Sequence, residues 1–231
     1  EEGVRYLDLR LGFHEESGKI YYCHGVFCVD MKEVVQEING FLDAHPKEIV
    51  ICDFNHLYGM TGKHDEFTDM VLEMLGDKVA DIDHVKPNST YSEFLEKNAR
   101  AIVIYHDGMT SKESEGRLWS RGWILSPWPQ ANDSEDLYDK LKENITNRKL
   151  NKFFVLQGIL TPDGELIKEE VMANRGDMSI KNIASKVSCR VVDWVDDEWK
   201  DMTHYGVIVE FFSDCSMVQA ILNLNRTHKD A

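Results

Sequence analysis

Basic residues are scarce in this chain of 231 residues, where 26 lysines and arginines stand against 41 aspartates and glutamates, for a formal net charge of −15. Binding to nucleic acid, or to anionic membrane surfaces through charge, depends on basic patches, so the composition argues against both. Long apolar runs are also missing, and none approaches the roughly 20 residues that a membrane-spanning helix needs. Any contact with lipid must therefore be local.

Proline and cysteine are few, with five of each. No stretch rich in proline, glycine or serine separates two parts of the chain, and 42% hydrophobic content suffices for one buried core, so we predict a single domain over residues 1–231. The cysteines fit no zinc spacing, which argues against a structural metal. Cys23 and Cys28 could form a small disulfide in an oxidising compartment, but free thiols in or near the core are the favoured interpretation.

Strands and helices alternate along the chain. Strands are predicted at residues 4–9, 19–22, 48–54, 101–105, 153–157 and 206–212, and helices at 31–44, 65–75, 91–97, 135–146, 180–199 and 214–222. This alternation favours a parallel sheet wound by helices, and closing the sheet into a barrel would collect the carboxyl ends of the strands at one rim. An open, doubly wound sheet would also collect strand ends, so the pattern alone leaves both architectures open.

Two neighbouring segments place charged and titratable side chains at strand ends. Asp8 and Arg10 stand two residues apart in the first strand, so alternation puts them on the same face. His24 follows the next apolar run. On its own, an Asp-x-Arg motif is usually a surface ion pair. A single histidine before a glycine is usually a turn residue. Together, an arginine fork that binds phosphate oxygens and an imidazole that delivers a proton indicate chemistry on a phosphate ester.

In their order, these motifs resemble the X domain of phosphatidylinositol-specific phospholipases C, especially the small X-domain-containing proteins. The resemblance is clear from Glu1 to about Met60, through segments 3–10, 23–25 and 46–56, and continues more thinly through 126–128, 154–162 and 206–212. It implies an α/β fold, an irregular TIM-type (β/α) barrel. It also implies that His24 is the general acid, that Arg10 neutralises charge on the phosphate, and that Asp8 orients Arg10 or His24.

The resemblance further implies a second histidine, the general base, on a strand upstream of Gly3. Because the chain starts at Glu1, we expect an N-terminally incomplete barrel that lacks its first strand and has impaired activity. Glu210 falls where the family has a carboxylate that orients this histidine, and Asn55 falls at a polar rim position. Both are therefore expected to be substrate-binding residues. Asp53 and Asn55 could instead cap the next helix.

The activity implied is that of a phosphoric diester hydrolase of phospholipase C type, which cleaves phosphatidylinositol-like lipids at a membrane surface to a cyclic inositol phosphate and diacylglycerol. Arg10 stands where metal-dependent relatives carry a second carboxylate for calcium, so no metal and no cofactor are expected. The alternatives are a metal-dependent glycerophosphodiester phosphodiesterase or sphingomyelinase D-like enzyme, and a non-catalytic phosphoinositide-binding barrel.

Other polar and aromatic residues have weaker signals. His56 directly follows Asn55, so simple alternation turns its side chain away from the mouth, and we predict a structural role. Trp119, Trp123 and Trp128 could form an aromatic rim that touches lipid, although packing in the core or in loops is favoured.

Four Asn-x-Ser/Thr acceptor sequences favour a secreted glycoprotein, with the cytoplasm as the alternative compartment. Their asparagines are Asn88, Asn132, Asn144 and Asn225. The sequence leaves the oligomeric state open.

Overall fold

The computed structural model describes residues 3–108, 110, 114–164, 168, 172, 180–185, 187–199, 207–209 and 217–227. The fold is α/β with a mixed sheet. The chain divides into two compact units, one of Val4–Trp123 and one of Glu1–Gly3 with Ile124–Ala231. The single domain expected over residues 1–231 stays a prediction.

In the unit Val4–Trp123, six strands form one sheet of order β3-β2-β1-β4-β5-β6. The strands are β1 (Tyr6–His14), β2 (Lys19–Cys23), β3 (Phe27–Asp30), β4 (Val50–Tyr58), β5 (Ala101–Tyr105) and β6 (Trp119–Ser120). The helices are α1 (Met31–Ala44), α2 (His64–Leu75) and α3 (Tyr91–Glu96). Strands β1, β4, β5 and β6 run parallel, whereas β2 and β3 are antiparallel to their neighbours.

Helix α1 coincides with the helix predicted from apolar periodicity. Its buried residues Met31, Val35, Ile38 and Leu42 recur at helical spacing and form one face. The helix begins where the Asp30 carboxylate accepts a hydrogen bond from the backbone N–H of Lys32 at 3.0 Å.

The sheet of this unit has two chemically different faces. One face packs against α1 and α2 in a hydrophobic core that includes Leu9, Leu11, Cys52, Phe54 and Val103. The opposite face, here called the polar face, carries five polar side chains at positions that alternate with these core residues or follow a bulge. They are Tyr6, Asp8, Arg10, Asp53 and His56. The core therefore anchors β1 and β4 while their other face remains available for chemistry.

The second unit contains a parallel three-stranded sheet of order β7-β8-β9. Its strands are β7 (Ile124–Leu125), β8 (Phe153–Gln157) and β9 (Val207–Val209), and its helices are α4 (Ser134–Asn147), α5 (Ile180–Ser185), α6 (Ser188–Asp193) and α7 (Met217–Thr227), with a π-helical turn at Trp194–Glu198. The continuous helix predicted at 180–199 is wrong, because Val187 departs from helical geometry at φ −127° and ψ −23°.

The described strands form one six-stranded and one three-stranded sheet, and no closed barrel is present among them. The parallel strands with helical connections confirm the α/β part of the prediction, while the barrel closure is not confirmed. No helix within the described ranges is long and apolar enough to cross a membrane.

Candidate active site

Asp8 and Arg10 lie side by side on the polar face, as strand alternation predicts. Arg10 Nε lies 3.4 Å from Asp8 Oδ1, and the side chains are 24% and 42% exposed. Such a long, partly exposed pair contributes little to stability. The guanidinium makes only this hydrogen bond with a described residue, so its terminal nitrogens can bind a phosphate.

His24 lies in the turn between β2 and β3, directly after Cys23. Its backbone N–H donates to the carbonyl of Val26 at 3.0 Å, and Gly25 supplies the positive φ of +76° that the turn requires. The His24 side chain is exposed. It makes no hydrogen bond to Asp8 or Arg10 within the part of the chain that the structure describes.

Strand pairing nevertheless brings the His24 turn alongside Arg10. Leu11 lies opposite Tyr22 in the antiparallel pair, which places the end of β2 beside the Arg10 segment. Gly12 lets the hairpin approach, because a Cβ there would lie 2.9 Å from Cys23 Sγ. Burial and the neighbouring Cys28 raise the pKa of Cys23, and the Arg10 charge partly opposes this rise. The charge of Arg10 therefore reaches the residue before His24.

Both Cys23 and Cys28 are free thiols, and Cys23 is buried as the favoured interpretation expects, whereas Cys28 is exposed. Cys189, isolated in the sequence, takes part in a disulfide bond.

A β-bulge in β4 changes which residues join the polar face. Leu9 lies opposite Phe54 but Arg10 lies opposite His56, so Asn55 is the extra residue. His56 therefore shares a face with Arg10, and the prediction that it points away is wrong because it assumed unbroken alternation.

The proposal that Asp53 or Asn55 caps the next helix is also wrong, since α2 begins only after Lys63.

His56 is electrostatically coupled to the site. Partial burial of the ring, and after it the positive charge of Arg10, lower the pKa of His56, while Asp8 acts in the opposite direction. Its Nδ1 lies 2.5 Å from Oδ1 of Asn55. Asn55 therefore contacts the imidazole at the bulge, and its substrate-binding role stays a prediction.

We expect Arg10→Gln to raise the pKa of His56, because the substitution removes a neighbouring positive charge and leaves Asp8 unpaired. An NMR titration of the His56 ring measures this shift. Arg5→Gln is the matched control, since Arg5 pairs with Glu48 and stacks over Phe41 of α1, on the opposite face. An unchanged or lower pKa in Arg10→Gln would show that the two side chains do not share a face.

The sequence suggested Asp53 only as a possible helix cap and did not single out His106. Asp53 is 1% exposed, and its Oδ2 accepts a hydrogen bond of 2.8 Å from the Tyr6 hydroxyl. Burial, and after it the charge of Asp53, raise the pKa of Tyr6, which keeps this donor protonated. Nε2 of His106 lies 2.8 Å from Asp53 Oδ1. The available signal was a carboxylate inside an otherwise apolar strand, because a buried aspartate normally has a partner.

A cleft of about 710 Å³ opens next to His106 in the unit Val4–Trp123. Ser120, Arg121 and Trp123 line it, together with the carboxylates of Asp83 and Glu115. The cleft therefore offers both hydrogen-bond donors and acceptors.

The remaining predicted residues lie in different environments. Glu210 lies outside the described residues. Trp119 is fully buried and donates from Nε1 to the carbonyl of Ala80 at 2.7 Å, which confirms core packing for this residue. Trp128 is 42% exposed and donates to the Thr161 hydroxyl.

Among the described residues, no group of three or more His, Cys, Asp or Glu side chains is arranged to hold a metal ion, and metal independence stays a prediction.

Known proteins resemble this chain in sequence and in fold. No protein-family profile matches the chain. The human PI-PLC X domain-containing protein 3 is 28% identical over 228 residues, which cover 96% of this chain and 69% of that protein. The PI-PLC X domain-containing protein 2 of Mus musculus is 26% identical over 236 residues, which cover 100% of this chain and 67% of that protein.

Two solved structures have a fold similar to that of this chain. The phosphatidylinositol-specific phospholipase C from Listeria monocytogenes matches with a TM-score of 0.66 at 14% identity, covering 99% of this chain and 80% of that one. A mutant of the Staphylococcus aureus phosphatidylinositol-specific phospholipase C matches with a TM-score of 0.61 at 11% identity, covering 94% and 79%. The fold is thus phospholipase C-like, and the predicted resemblance to PI-PLC X domain-containing proteins is confirmed over nearly the whole chain.

Proposed function

We propose that this protein is a phosphoric diester hydrolase of phospholipase C type, which cleaves phosphatidylinositol-like lipids at a membrane surface. The observation that carries the proposal is the placement of Arg10, beside Asp8 on the polar face and next to the turn of His24. The similarity to PI-PLC X domain-containing proteins supports the same reaction class.

In this proposal the inositol 2-hydroxyl attacks phosphorus and forms the new P–O bond. Its proton passes to a basic group of the enzyme, the bond to the diacylglycerol oxygen breaks, and the His24 imidazolium protonates that departing oxygen. The products are a cyclic inositol phosphate and diacylglycerol. The exposed position of His24 fits this role, because the departing oxygen belongs to the lipid portion of the substrate.

Arg10 would bind the non-bridging phosphate oxygens and stabilise the charge that grows on them. A planar guanidinium can donate two parallel hydrogen bonds to a phosphate, and a preorganised donor of this kind is typically worth a few kcal/mol in the transition state. Asp8, at 3.4 Å from Arg10 Nε, would hold the fork in position.

The neighbourhood of His24 also suits a lipid. Val26, in the same turn, is 68% exposed, and Phe27, the first residue of β3, is 49% exposed. Adjacent apolar side chains that are exposed to solvent are typical of surfaces that bind apolar partners. Because the chain is strongly acidic, such a local apolar contact is a better explanation for lipid binding than attraction to anionic headgroups.

The proposal is tested by incubating the protein with phosphatidylinositol vesicles and, separately, with phosphatidylcholine vesicles. We expect slow release of water-soluble inositol phosphate from the first, in keeping with the impaired activity expected from the sequence, and no soluble phosphate from the second. A protein that leaves phosphatidylinositol intact would contradict the proposed activity.

We expect cleavage to continue in the presence of excess EDTA, because Arg10 supplies positive charge where a divalent cation would otherwise be needed. The measurement is the rate of inositol phosphate release with and without chelator, and EDTA saturated with calcium controls for effects on the vesicles. Activity that disappears with EDTA and returns with magnesium or calcium would favour the metal-dependent phosphodiesterase alternative.

A further inference from the structure

Asp53 and His106 form a carboxylate–imidazole pair that the proposed phosphate chemistry does not use. Asp53 Oδ1 and His106 Nε2 lie 2.8 Å apart, at ion-pair distance without the alignment of a full hydrogen bond, and the side chains are 2% and 16% exposed. Among the described residues, neither atom has another hydrogen-bond partner. Since two buried acceptor atoms would repel at this distance, Nε2 of His106 must carry a proton.

Three elements fix the geometry of this pair. Asp53 sits on β4 opposite Ile104 of β5, and His106 follows β5 two residues later, on the same face. The backbone N–H of His106 donates to the carbonyl of Phe54 at 3.2 Å, which holds the residue against β4. The Tyr6 hydroxyl donates a hydrogen bond to Oδ2 of Asp53, so Oδ1 is the carboxylate oxygen that faces the imidazole.

This contact determines which nitrogen of His106 carries the proton. A carboxylate next to one ring nitrogen keeps the N–H at that position and leaves a lone pair on the other nitrogen. With the N–H on Nε2, the Nδ1 atom of His106 becomes a hydrogen-bond acceptor. His106 also lines the cleft of about 710 Å³, so this acceptor belongs to a residue that a ligand there would meet.

The cleft suits a neutral polyol better than an additional phosphate. Arg121 and Ser120 provide donors, but Asp83 and Glu115 line the same cavity and would repel an anion. Hydroxyl groups donate to carboxylates and imidazole and accept from guanidinium, so a ring bearing several hydroxyls can satisfy all of these groups.

We propose that His106 is a further substrate-contacting residue, which accepts a hydrogen bond from a hydroxyl of the inositol headgroup, and that Asp53 is the residue that positions its proton. This inference rests on the proposed function, because it assigns the hydroxyl-binding part of the same headgroup site.

Binding of glycerophosphoinositol, a soluble headgroup analogue, tests the proposal by calorimetry. We expect His106→Phe, which keeps a ring without nitrogen, to weaken binding about tenfold, the loss that corresponds to one hydrogen bond. Asp53→Asn should weaken binding in the same direction. The matched controls are His84→Phe and Asp43→Asn, which change an exposed histidine and a surface carboxylate paired with Lys78, and both should bind as the wild type does.

The ring nitrogens of His106 give a second readout that does not depend on the variants. Nitrogen-15 NMR of the wild-type protein should show a proton on Nε2 and a bare Nδ1. A proton on Nδ1 would overturn the proposal. Wild-type affinity in both His106→Phe and Asp53→Asn, in a protein that cleaves phosphatidylinositol, would overturn this inference alone. A wild-type protein that neither binds the analogue nor cleaves the lipid would instead refute the proposed function first.

Discussion

His24→Ala should lower the rate of phosphatidylinositol cleavage by about 10²–10⁴-fold, the usual contribution of a general acid. The departing diacylglycerol oxygen is an alkoxide if it leaves without a proton, and His24 is the group that we propose supplies that proton. The measurement is kcat on phosphatidylinositol vesicles, with His84→Ala as the matched control, because His84 is an exposed histidine that lies 4.0 Å from Asp81.

A substrate with a good leaving group separates a role in proton donation from a role in folding. With 4-nitrophenyl inositol phosphate, nitrophenolate leaves without protonation, so the defect of His24→Ala should be at least tenfold smaller than with the lipid. A defect of equal size with both substrates would refute the general-acid role, and wild-type rates with the lipid would remove His24 from the mechanism.

Arg10→Lys should lower kcat/KM by about 10²–10³-fold, the loss typical for one preorganised donor to a developing oxyanion. Lysine keeps the charge but cannot reproduce the planar fork that binds two phosphate oxygens. The partly exposed Asp8 would still attract the ammonium group, so folding should be little affected. The measurement is kcat/KM on phosphatidylinositol vesicles together with the thermal unfolding midpoint.

Arg5→Lys is the control for this substitution, because Arg5 precedes β1 and pairs with Glu48 at 2.7 Å. It should retain wild-type kcat/KM. An Arg10→Lys protein that is folded and as active as the wild type would show that bidentate recognition of phosphate is not part of the reaction.

Local patterns predicted much of the fold. The apolar spacing of Val35, Ile38 and Leu42 located α1, and the uninterrupted apolar run at 101–105 located β5, because each pattern depends only on neighbouring residues. Closure of a barrel depends on pairing between distant strands. The local sequence pattern does not show which distant strands pair. The expectation of a TIM-type barrel came from the resemblance, and the described strands form two sheets.

The candidate site was predictable to a similar extent. Asp8 and Arg10 share a face because alternation within one strand places them there. His56 was misassigned because the bulge at Asn55 is set by the pairing of β4 with β1, which is a tertiary property. His106 lacked any signal of its own, since its importance depends on the buried carboxylate of Asp53 on a neighbouring strand.

We propose that Arg10 and His24 act on the same phosphate, and a crystal structure of the protein with inositol 1-phosphate would show whether they share it. We expect the Arg10 guanidinium and the His24 imidazole both to lie within about 3.2 Å of oxygens of one phosphate group. A phosphate bound away from Arg10, or an Arg10-bound phosphate that the His24 side chain does not approach, would show that the two residues do not act together.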